Sequence, residues 1–197
     1  MHIIFTGIVG IVLTVLLGLA GYFFFVQRNA GQTILKEEIN KEESQIPSLK
    51  LVDFSKVNST FRFSGKIPVE FEVEYIPQLR ALSIYDPSLP GENVREKSQI
   101  YISSFGADRF LTLSTVDITQ QDETLLNGRD AVLYEITKKA GVPDFTQQPS
   151  WRNSKHKALD VRFTESNPSV FYSFAYDPEL LQALFDQFIY SLKFHEN

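Results

Sequence analysis

The sequence predicts an α+β fold: an N-terminal transmembrane helix, then a mainly antiparallel β-sheet domain closed by a C-terminal amphipathic helix. Three observations carry this reading. Ile3–Val26 is a run of 24 residues without a charged side chain. Later segments, Val69–Tyr75 foremost, alternate apolar and polar residues with the period of two of a half-buried strand. Near the end, Leu181, Leu184, Phe185, Phe188 and Leu192 recur at helical spacing. Strands followed by a late helix are the α+β arrangement.

As a helix, Ile3–Val26 would be roughly 36 Å long at 1.5 Å per residue. The hydrocarbon layer is about 30 Å thick, so the run can cross it with some tilt. Tyr22–Phe25 puts aromatic rings at the exit, where the lipid–water boundary favours them. The run is longer than the apolar part of a cleaved signal and has no basic stretch before it. It therefore reads as a single-pass anchor in the lipid bilayer of the cell membrane, residues 1–26. Gly7, Gly10, Thr14, Gly18 and Gly21 share one stripe of that helix. Small residues so placed let a second copy pack closely, although glycine is also simply common in membrane helices. Lys and Arg counts favour a cytoplasmic domain, because Arg28, Lys36 and Lys41 all follow the span.

Residues 27–50 read as a charged tether. Four basic and four acidic side chains cancel, and no apolar face accompanies them. The globular domain is expected over 51–197, a common size for one domain. Net charge is −5 with no basic stripe, which argues against nucleic acid as a partner. The chain has no cysteine, which excludes disulfides and thiolate chemistry. His2, His156 and His195 are far apart in sequence, so no metal site is expected. No phosphate-loop, dinucleotide or nucleophile-elbow pattern occurs, and no catalytic residues or cofactors are expected on that ground.

Within the domain, Phe61–Phe63 begins a strand and Ser64-Gly65-Lys66 is expected to turn the chain. Val69–Tyr75 follows, with Glu70, Glu72 and Glu74 on its wet face. Leu82–Tyr85 and Gln99–Phe105 are strands on either side of a Pro- and Gly-containing loop. In Phe110–Thr119 the apolar phase shifts by one residue, which predicts a bulge near Ser114-Thr115. Asn127-Gly128 is a hairpin turn, and Ala131–Thr137 returns with apolar residues on both faces. Val142–Lys157 has no periodicity and reads as a long loop. Leu159–Phe163 and Val170–Tyr176 are the last strands. Asp177 is placed to cap the closing helix, and Pro178 suits its first position.

Two phrases carry a resemblance. Asn127-Gly128-Arg129-Asp130-Ala131-Val132 before a strand resembles the G-R-x-A hairpin of the PsbP/Mog1-like superfamily. Phe188-Ile189-Tyr190-Ser191-Leu192-Lys193-Phe194 is similar to that group's closing helix, which often ends in S-x-K-F. The resemblance covers about Phe61 to Phe194. The group's opening P-x-G-W phrase is absent, and Pro68 with the Glu-rich strand stands there instead. The resemblance implies an antiparallel sheet flanked by helices and a protein-binding role without catalysis. It also implies an extracytoplasmic domain, against the Lys and Arg count.

The function expected is therefore a single-pass membrane-anchored, non-enzymatic binding or assembly module, with a protein as one class of partner. Its binding residues are expected in the long loop, at Trp151 and Arg152 with His156 just beyond. Trp and Arg combine large contact area with directional polar groups, and loops on a rigid sheet often carry function. The other reading of this loop is a lid, with Trp151 folded back on the sheet. An alternative function is an anchored hydrolase using His156 as a base. That requires His156 to face a pocket with a serine or carboxylate within reach.

Overall fold

The computed structural model describes residues 47–106, 115–146, 148–163 and 170–195. The expected anchor, its small-residue stripe and the tether up to residue 46 lie outside them. Among the described residues, no helix is long and apolar enough to cross a membrane.

The strands are β1 (Leu49–Asp53), β2 (Phe63–Pro68), β3 (Glu72–Ile76), β4 (Ala81–Tyr85), β5 (Ile100–Gly106), β6 (Val116–Leu126), β7 (Arg129–Lys138), β8 (His156–Phe163), β9 (Val170–Tyr176) and β10 (Lys193–Phe194). A seven-stranded sheet has the order β3-β4-β5-β9-β8-β7-β6, and each neighbouring pair is antiparallel. A small sheet, β1-β2-β10, is antiparallel too. The closing helix is Gln182–Tyr190, and a one-turn helix, Val94–Lys97, precedes β5. A mainly antiparallel sheet with a C-terminal helix is thus what the chain forms.

One face of the large sheet, the small sheet and the closing helix share an aromatic core. Phe61, Phe63, Tyr172, Phe174 and Phe188 are all at most 1% exposed. Phe63 lies 5.1 Å from the Tyr172 ring and 5.5 Å from that of Phe174. Tyr172 also satisfies its hydroxyl there, donating to the Thr60 carbonyl at 2.8 Å.

Several expectations are corrected. Ser64-Gly65-Lys66 is not a turn but the middle of β2. A Cβ on Gly65 would stand 3.0 Å from Leu192 and 3.1 Å from Phe188, so this glycine is there for close packing. The acidic strand starts at Glu72, because Val69 and Glu70 make a turn that closes with the Phe71 N–H on the Pro68 carbonyl. The register irregularity of β6 falls between Ile118 and Gln120, whereas Ser114 lies outside the described residues. Asp177 does not cap the helix. Its carboxylate accepts from the Glu179 N–H at 2.9 Å in a turn of its own, and the helix begins at Gln182. Leu181 is consequently half exposed, and Leu180 is buried in its place. Lys193 and Phe194 leave the helix altogether to pair with Ser64 and Phe63. Leu49 and Lys50, read as tether, pair with Pro68 and Ile67 in β1.

Candidate functional site

The opposite face of the large sheet carries a second apolar cluster, including Tyr101, Val132, Tyr134, Ile136, Ala158 and Ala175. Part of the long loop covers it. Pro149 starts a short 3-10 helix, Ser150–Asn153, in which the Arg152 N–H reaches the Pro149 carbonyl at 3.0 Å. The Asn153 side chain accepts from the Phe145 N–H at 2.7 Å and ties the preceding segment down. The Ser154 hydroxyl donates to the Trp151 carbonyl and ends the turn.

Trp151 points inward from this turn and is 9% exposed. Its indole N–H donates to the Ser98 carbonyl at 2.7 Å, which joins the loop to the chain entering β5. Trp151 therefore acts as the lid, and an exposed contact patch at this residue does not match its burial. Its ring meets His156 edge-on at 5.4 Å. His156 is the first residue of β8 rather than part of the loop, and it is buried. Its Nδ1 lies 2.8 Å from the Ser154 carbonyl, so Nδ1 carries the proton. Nε2 is then an acceptor, and among the described residues it has no hydrogen-bond partner. Burial is the main cause that brings the His156 pKa down to about 4, with Arg152 adding to it.

Arg152 is 8% exposed, and its guanidinium sits 5.2 Å from the Tyr101 ring. Among the described residues its Nε is buried without a hydrogen-bond partner. Beside it the face is hollow. The floor is a row of small polar side chains across three strands, where Ser103 pairs with Ser173 and Ser173 with Asp160. Phe105 and Phe171, ring to ring at 5.2 Å, form one wall. Val116, Ile118, Tyr134 and Ile136 form the other. The cavity measures about 40 Å³, and about 520 Å³ with its opening to solvent included. The smaller figure corresponds to room for about three waters.

Asp160 alternates with the apolar Leu159 and Val161 in β8, yet it is 6% exposed. Burial raises its pKa to about 6, against the hydrogen bond to Ser173 and the charge of Arg152, which both lower it. A signal for this was present in the sequence. Neighbouring β9, VFYSFAY, is apolar on both phases, as a strand covered on both faces is. Asp160, paired with Ser173 in the middle of β9, is buried with it, whereas Lys157 and Arg162 nearer the ends are half-buried.

The two shifts act oppositely on stability. Asp160 is held above its unfolded value of 3.8, so its protonated form favours the fold, and stability falls as pH rises from about 4 to about 6. His156 is held below 6.5, so its contribution is intact above that pH and is lost as pH falls towards about 4. Each amounts to about 3 kcal/mol at 1.36 kcal/mol per unit. We expect His156→Asn to gain on the wild type as pH falls through this window, and Asp160→Asn to gain as it rises. Urea titrations across the window read both slopes, and parallel curves for all three proteins would refute the assignment.

No family model matches the chain, and no curated protein matches it. Among solved structures, a protein from Bacteroides thetaiotaomicron is similar at 11% identity and a TM-score of 0.42, over 75% of this chain. The chain spans about half of that protein, 49%. Cyanobacterial PsbP from Synechocystis is similar at 12% identity and a TM-score of 0.43, over 76% of this chain and 94% of that one. Both likenesses extend over about three quarters of this chain.

Proposed function

We propose that the chain is a non-enzymatic binding module, anchored by Ile3–Val26, whose ligand is taken up in the recess beside Arg152 on the second face of the large sheet. The observation that carries this is the recess itself, where the buried cation Arg152 holds an unpartnered Nε next to a polar floor. Buried polar groups in native proteins are almost always paired, so a buried arginine with an orphan Nε beside a cavity supports a partner that arrives from outside. The hydrolase reading has less support. His156 Nε2 has no serine or carboxylate in hydrogen-bond contact, and its lowered basicity makes it a weak proton acceptor at neutral pH. We place the domain on the extracytoplasmic side, following the PsbP-like resemblance, with room for a protein partner on its exterior.

Membranes from cells expressing the full chain should retain it through a carbonate wash, and protease added to spheroplasts should digest the domain. Recovery of the intact chain in the soluble fraction removes the anchor, and protection from protease reverses the orientation. Hydrolysis of an ester or peptide substrate that disappears in His156→Ala replaces binding with catalysis.

A further inference from the structure

The recess is lined by two opposite charges: Asp160 has a hydrogen bond from Ser173, whereas among the described residues the Arg152 Nε has none. Arg152 and Asp160 both line it and are both more than nine-tenths buried. They feel one another's charge, yet the Arg152 Nε makes no hydrogen bond. A simple anion would satisfy Arg152 but would be repelled by the Asp160 carboxylate. A simple amine would do the reverse. An occupant with both charges a few ångströms apart answers both groups at once, and buried charges need such pairing to be tolerated.

We propose that this recess binds a small α-amino acid as its zwitterion. The carboxylate faces the Arg152 guanidinium. The ammonium group faces Asp160, with the Ser173 hydroxyl beside it in the same cross-strand row. The side chain of the ligand points along the apolar wall of Phe105 and Phe171. Size agrees with this class. The enclosed space, room for about three waters, takes the charged end of an amino acid, and the wider recess admits a short aliphatic side chain. The inference rests on the reading of the domain as a binding module and names its ligand class.

The test uses the full chain in detergent, dialysed to remove small molecules, with calorimetric titration of three probes. These are L-alanine, propionate, which lacks the ammonium group, and ethylamine, which lacks the carboxylate. L-alanine is expected to bind, and each single-charge analogue to bind at least about tenfold more weakly, since a charge-assisted hydrogen bond contributes about 1.5–3 kcal/mol. Arg152→Met and Asp160→Asn should each abolish the preference for alanine. If either variant does not fold, the three-probe comparison on the wild type still decides. No heat and no rise in melting temperature with alanine at about 10 mM, or propionate binding as tightly as alanine, overturns the proposal. That failure removes only the ligand class. A His156-dependent hydrolysis, by contrast, would remove the binding module itself.

Discussion

Replacing Phe188 with alanine should lower the stability of the domain by about 3–5 kcal/mol. Its ring is 1% exposed and, with Phe185 and Ile189, docks the closing helix in the aromatic core. It meets Phe54 edge-on at 5.9 Å and Phe174 at 6.1 Å. It also covers Gly65, where β2 comes closest to the helix. Removing it leaves a cavity bounded by a helix, a glycine and two rings that are themselves held by other contacts, so collapse into the space is incomplete. Domains of this size are stable by about 5–15 kcal/mol in total, so the variant keeps only a small margin at elevated temperature. Urea unfolding of the wild type and the variant measures the difference. A loss below about 1 kcal/mol would show that the helix is not docked through this ring.

Trp151→Ala should cost a similar amount, about 3–5 kcal/mol, from the other side of the sheet. The indole fills the space between the 3-10 turn and the second apolar cluster, and its N–H satisfies the Ser98 carbonyl. Truncation removes the ring, orphans that carbonyl and opens the His156 imidazole, which the indole meets edge-on. For a domain of this size the melting temperature should fall by roughly 10 °C. Trp151→Phe restores the ring without the donor and should recover most of the loss, leaving about 1–3 kcal/mol for the unsatisfied carbonyl. An unchanged melting curve for Trp151→Ala would mean that the lid is not packed and that the tryptophan is free for an external contact.

How much of this was legible depends on how local each feature is. The strands β4, β5 and β9 were visible because short apolar runs bounded by turn residues have few alternatives. The Asn127-Gly128 hairpin was visible for a backbone reason: both residues take positive φ, 51° and 79°, which this pair tolerates. The outer half of β6, Gln120–Thr124, carries no apolar alternation. It is a strand only because β7 lies beside it, with the other side of β6 left as a sheet edge. In the same way β1 and β10 exist because β2 pairs with both. A two-residue strand such as Lys193–Phe194 has no pattern of its own to read.

The candidate site divides along the same line. Trp151, Arg152 and His156 stood out by residue type and by their place in an aperiodic segment, and that reading also held open the lid that Trp151 forms. Asp160, Ser103 and Ser173 did not stand out, because alternation identifies which residues share a face and not which face is covered. The chain by itself determined the α+β class, the aromatic supply for one core, the hairpin and the closing helix, since each follows from spacing within a few residues. The tertiary structure alone decided that the loop joining β7 to β8 folds over the second face of the sheet and reaches Ser98, at the entry to β5. That one long-range contact turns a solvated aspartate and a surface arginine into two buried charges facing the same hollow.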